Sequence, residues 1–171
     1  MDEPAREEPE GDALWRFSLA FYEIPGVAQA LIALQDRDGL DVNLILFALW
    51  LGLSRRSRLD SDRLAAADRA ICGIRSEVVE PLRALRRRLR LHPDADVQKL
   101  RDGVKGLELA AEKLIQSRLA RLAGPCDNNR SRDAGLAAAH ENFALYLGPE
   151  RVGVAEAAAI REALEAVARE C

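Results

Sequence analysis

"LQDRDGLDVNLILFALWLGL", residues 34–53, sets a run of charged and amide side chains directly before ten residues that are almost wholly apolar. The first half poses a choice between a ligand site and a turn. A calcium loop of the EF-hand type needs Gly at its sixth position and a bidentate Glu at its twelfth. Counted from Asp36, Gly39 is fourth and the twelfth residue is Phe47, so Asp36, Asp38, Asp41 and Asn43 do not fit that pattern. A turn accounts for more of the residues. Asp38-Gly39 reverses the chain, Gly39 closes one helix in a left-handed cap, and Asp41 accepts from the first amides of the next. The apolar half, residues 44–53, is about half of the roughly 20 residues that a membrane crossing requires. A helix that is apolar all round and too short to span belongs at the centre of a core.

The flanking sequence extends this into an all-α fold. Asp12 is placed to cap a first helix that runs to about Tyr22, "IPG" breaks the chain, and Pro25 opens a second helix to about Arg37. From Leu64 the apolar positions Leu64, Ala67, Ile71, Ile74, Val78, Leu82, Leu85 and Leu89 recur at spacings of three and four. That stripe predicts one long helix, kinked where Pro81 removes a hydrogen bond. After "LHPD" a second stripe of Val97, Leu100, Val104, Leu107, Ala111 and Leu114 predicts its antiparallel partner. Two more helices are expected over residues 132–147 and 154–169. No stretch alternates with period two for long enough to make a sheet. The expected architecture is a single-domain helical bundle. A disordered acidic tail (1–11) precedes one domain (12–171), made of an aromatic three-helix module (12–53), an Arg-rich helical hairpin (54–122) and two closing helices (132–169).

Charge and aromatics divide the chain at the same places. The 171 residues carry a net charge of −3, but residues 1–53 hold three basic and ten acidic side chains, residues 54–121 seventeen and ten, and residues 122–171 five and eight. Such segregation implies internal complementarity or a polyanionic partner for the middle segment. Trp15, Phe17, Phe21, Tyr22, Phe47 and Trp50 lie at the front and Phe143 and Tyr146 near the end, so the segment around Phe143 is expected to fold back onto the first fifty residues. Three scattered cysteines without a CxxC pair argue against a disulfide framework or zinc knuckle and for a reducing compartment. The acidic start lacks the basic and apolar pattern of a signal peptide, and a cytoplasmic protein is expected.

Two constellations are candidates for function. Asn43, Phe47 and Trp50 share a face of the central helix, and a buried Asn needs partners or costs roughly 1–3 kcal/mol. Gln35 is the nearest in sequence, so a Gln35–Asn43 network is the first structural reading. A small-ligand pocket lined by Trp15, Gln35, Asn43, Phe47 and Trp50 is the functional one. The second constellation is "PLRALRRRLRL", in which Arg83, Arg86, Arg87 and Arg90 share a segment with no acid among them. The net acidity of the chain and the lack of interleaved aromatics disfavour nucleic acid, and an acidic protein surface is the expected partner. His140, in line with Leu136, Phe143 and Leu147, reads as a core histidine.

The stretch "WRFSLAFYEIPGVAQALIALQDRDGLDVNLILFALWLG", residues 15–52, resembles the signature of proteobacterial conserved hypothetical proteins of the domain-of-unknown-function 2390 type, and the likeness extends weakly through "VVEPLRALRR". That resemblance names relatives and implies no activity. The expected function is therefore a non-enzymatic protein-interaction or assembly role. A small-molecule-binding protein with its pocket around Asn43 is the alternative, and a nucleic-acid-associated protein acting through the arginine helix is a third. No cofactor, metal or membrane insertion is expected, and the oligomeric state stays open.

Overall fold

The computed structural model describes residues 10–170. Every element among them is helical: α1 (Glu10–Tyr22), α2 (Val27–Asp38), α3 (Val42–Arg55), α4 (Ser61–Ile74), α5 (Glu80–Arg88), α6 (Ala95–Arg121), α7 (Arg132–Leu147) and α8 (Ala155–Glu170). The expected single-domain all-α bundle is what forms. Of the expected acidic tail, residues 1–9 lie outside the described residues, while Glu10 and Gly11 already belong to α1. Asp12 is consequently inside the helix rather than its cap, and it pairs with Lys113 of α6 at 3.1 Å.

Local punctuation acts where the sequence puts it. Gly39 takes φ 68° and closes α2, and Asp41 then accepts from the Asn43 amide at 2.8 Å to open α3. The start of α2 is shifted, because Gly26 in the left-handed region (φ 88°) delays the helix past Pro25 to Val27.

The central position of α3 follows from its apolar surface. On one side Ile45, Leu46 and Leu49 pack with Phe21, Leu31, Phe143, Ile160 and Leu164; on the other Leu44, Phe47, Trp50 and Leu51 pack with Leu14, Ile71, Ile115 and Leu119. The expected return of Phe143 onto the front of the chain thus occurs. The first three helices do not form a module of their own. α3 lies chiefly on α7, α1 on α6 and α2 on α8. Close approach draws α3 to α7, where a Cβ on Gly52 would stand 2.2 Å from the Ala139 backbone. Buried Asn142 bolts the same contact, donating to the Ala48 and Ser57 carbonyls at 3.1 and 3.0 Å and accepting from the Leu59 amide at 2.6 Å.

The hairpin departs from its predicted stripes in two ways. Before Pro81 the helix makes a π-turn over Arg75–Val79, in which the Glu80 amide reaches the Arg75 carbonyl. One extra residue in that turn rotates the succeeding helix by about 100°. Val79 is therefore buried and Val78 exposed, the reverse of the predicted stripe. The predicted stripe of α6 is also displaced. Glu108, Ala111, Ile115, Gln116, Leu119 and Ala120 face inward, while Leu100, Leu107 and Leu114 are 65%, 61% and 47% exposed. Both stripes have helical spacing, and α6 buries the one whose Glu108 finds arginine partners. No single helix among the described residues is long and apolar enough to cross a membrane.

Candidate functional site

The rotation imposed by the π-turn carries Arg83 and Arg86 onto α6. Arg83 donates through Nε to Glu108 at 3.0 Å, through one terminal nitrogen to Glu112 at 2.7 Å, and through the other to Gln35 of α2 at 2.8 Å. Arg86 donates to both oxygens of Glu108, at 2.5 and 3.2 Å. Arg87 reaches Asp36 at 3.0 Å. α5 buries no side chain completely, so these charge-assisted bonds are its main anchor to the body.

Between α1, the end of α2, α5 and α6 lies an open cleft of about 880 Å³. Its floor is a buried polar chain. The Ser18 hydroxyl is 2.9 Å from both the Leu14 carbonyl oxygen and Gln116 Oε1, and Gln116 Nε2 donates to Asn43 Oδ1 at 3.1 Å. Asn43 Nδ2 has no partner among the described residues and belongs to the cleft lining. Trp15, Leu19, Tyr22, Ile32 and Leu109 supply apolar wall.

Charge within the cleft is unequal. Five cations line it, Arg83, Arg86, Arg87, Arg90 and Lys105, against the three carboxylates of Asp36, Glu108 and Glu112. Burial opposes ionisation of Glu108, but hydrogen bonds from Arg86 and Arg83 outweigh it and hold the carboxyl below its usual range. Glu112 goes the other way. Desolvation, with Glu108 as a like-charged neighbour, raises its carboxyl although Arg83 opposes the shift. The Tyr22 phenol is pushed up to about 12 by burial and then by Glu112, so it remains a donor at neutral pH.

The residues singled out in the sequence come together only in part. Trp15, Gln35 and Asn43 line the cleft, as do Arg83, Arg86, Arg87 and Arg90, so the two constellations meet in one place. Phe47 and Trp50 lie further along α3, 1% and 2% exposed in filled core and away from the cleft. Gln35 and Asn43 do not bond to each other; Gln35 accepts from Arg83 of α5 and Asn43 from Gln116 of α6, partners that only the tertiary fold brings near. Ser18, Lys105, Glu108, Glu112 and Gln116 escaped the sequence reading. Their one available signal was Glu108 and Gln116 within a helical stripe that also holds Val104, Ala111, Ile115 and Leu119.

The aspartates of residues 36–41 are each engaged by arginine. Asp36 pairs with Arg87, Asp38 with Arg37, and Asp41 with Arg75 at 3.0 Å in addition to its capping role. Hydrogen bonds from those arginines hold the Asp36 and Asp38 carboxyls low. His140 is half-buried on α7, 3.9 Å from Glu165 of α8, with its pKa lowered by burial.

A family model described as protein of unknown function (DUF2390) matches residues 13–119, and the chain belongs to that family. The matched segment contains every residue of the cleft. No curated protein and no solved structure matches the chain.

Proposed function

We propose that this DUF2390 protein is a binding protein whose cleft takes a small organic anion with an apolar body. The observation that carries the reading is which polar groups the cleft leaves over. Its carboxylates are already engaged by Arg83, Arg86 and Arg87, whereas Arg90, Lys105 and Asn43 Nδ2 have no partner among the described residues. These three groups are donors, and two are cationic. A carboxylate, sulfonate or phosphate answers them, and Trp15, Leu19, Tyr22 and Leu109 offer surface to the rest of the molecule. The volume falls within the usual few hundred to about 1,000 Å³ of ligand sites. Ser18, the hydroxyl in the floor, is held by Leu14 and Gln116 rather than by a base, which favours binding over nucleophilic chemistry.

The expected acidic protein partner for the arginine helix is less well supported. Three of its four arginines are already bonded to carboxylates of this chain, leaving Arg90.

Titration with anilinonaphthalene sulfonate, an aromatic anion, tests the proposal. Saturable binding to the native chain is expected, displaceable by aliphatic carboxylates. Arg90→Gln combined with Lys105→Gln should weaken it at least about tenfold, the order expected for losing a charge-assisted contact. Equal binding by the double variant, or equal affinity for a cationic dye, would overturn it.

A further inference from the structure

The leucines that α6 leaves in solvent form a pattern of their own. Leu100, Leu107 and Leu114 alternate with Gly103, Ala110 and Ser117 at spacings of four and three, the repeat of a coiled-coil seam. This flank of α6 lies away from the cleft residues Lys105, Glu112 and Gln116. Gly103 and Gly106 weaken a helix, and nothing among the described residues requires them, since a Cβ at either would meet no described atom within 4 Å. Close approach of another helix does require small residues there.

We infer that this seam joins two copies of the chain in a two-fold symmetric, antiparallel α6–α6 dimer. The sequence of the seam is complementary to its own reverse. With the axis midway between Leu107 and Ala110, Leu107 meets the partner's Ala110, Leu114 meets the partner's Gly103 and Leu100 meets the partner's Ser117. Every layer then sets a leucine against a small side chain. The same register sets Asp96 against the partner's Arg121. Arg121 has no partner among the described residues, and Asp96 is exposed with only Lys99 beside it. The matched positions extend over roughly 37 Å of helix. A parallel pair would set leucine against leucine, glycine against glycine and Arg121 against Arg121. Size and charge thus both select the antiparallel arrangement, and such self-complementarity is the property of an isologous interface.

Sedimentation equilibrium of the full chain at about 100 μM, well above a micromolar dissociation constant, should give twice the chain mass. Leu107→Arg should give the monomer with an unchanged circular dichroism spectrum. Gly103→Gln is the sharper variant. It should abolish the dimer yet leave the melting temperature of the monomer equal or higher, because Gln replaces Gly in an exposed helix. Register is read by mixing chains whose three cysteines are serine. A Leu107→Cys chain should form an interchain disulfide with an Ala110→Cys chain, and a Leu100→Cys chain should not. A monomeric wild type, a dimer that survives both seam variants, or the opposite cross-linking preference would overturn the inference.

Discussion

α7 and α5 each dock on a helix of the same body, but by opposite means. The α3–α7 contact is close-packed: Gly52 lies against the Ala139 backbone, Gly135 lies against the Gly52 carbonyl, and buried Asn142 has its bonds satisfied. The α5–α6 contact is held by Arg83, Arg86 and Glu112, which stay partly exposed, around the buried carboxylate of Glu108. Shape carries the first and charge the second. Close-packed backbones tolerate no added atom, whereas partly hydrated ion pairs adjust to a neighbour. The cleft lies beside the second kind of contact, and Arg83 and Arg86 belong to both.

The sharpest way to break the comparison is at Gly52. Gly52→Val should cost about 3 kcal/mol or more, since the new Cβ meets backbone that cannot give way without separating α3 from α7. Urea denaturation measures this, and a variant of wild-type stability would show that the contact is looser than its geometry.

A smaller effect is expected at the charged contact. Glu108→Gln should cost about 2 kcal/mol at pH 7, because Arg83 and Arg86 lose their shared carboxylate but keep access to water. Since the folded-state pKa of Glu108 is depressed, its contribution is present above the unfolded value near 4.3 and is lost as pH falls through the folded value. The difference between wild type and Glu108→Gln should therefore shrink below about pH 4. Glu112, whose pKa is raised, has the opposite sign: it favours the fold at low pH and that gain is lost as pH rises through its folded value. Glu112→Gln should accordingly cost less at pH 7 than Glu108→Gln, and equal losses would refute the assignment of the anchor to Glu108.

The smallest effect belongs to Arg87. Its pair with Asp36 is exposed on both sides, so Arg87→Ala should change stability by less than about 0.5 kcal/mol. A loss comparable to that of Glu108→Gln would mean that α5 is held along its whole length rather than at Glu108.

The sequence by itself determined where the helices lie and several of their ends, because these depend on near neighbours. Gly39 in a left-handed cap, Asp41 on the next amide and an all-apolar α3 at the centre are each readable within a few residues. Segregated charge implied internal complementarity or a polyanionic partner for the middle segment, and three acids of the front, Asp12, Asp36 and Asp41, pair with Lys113, Arg87 and Arg75 of that segment. What only the tertiary structure decided is rotation about the helix axes. The π-turn before Pro81 shifts the phase of α5. α6, offered two stripes of equal period, buries the one whose glutamate meets Arg83 and Arg86 and leaves its leucines outside. Periodicity ranks a leucine stripe above one with a buried carboxylate, and it is blind to a guanidinium twenty-five residues away. That pairing gathers Asn43, Gln116 and the arginines around one cleft, and it leaves Leu100, Leu107 and Leu114 free to meet another surface.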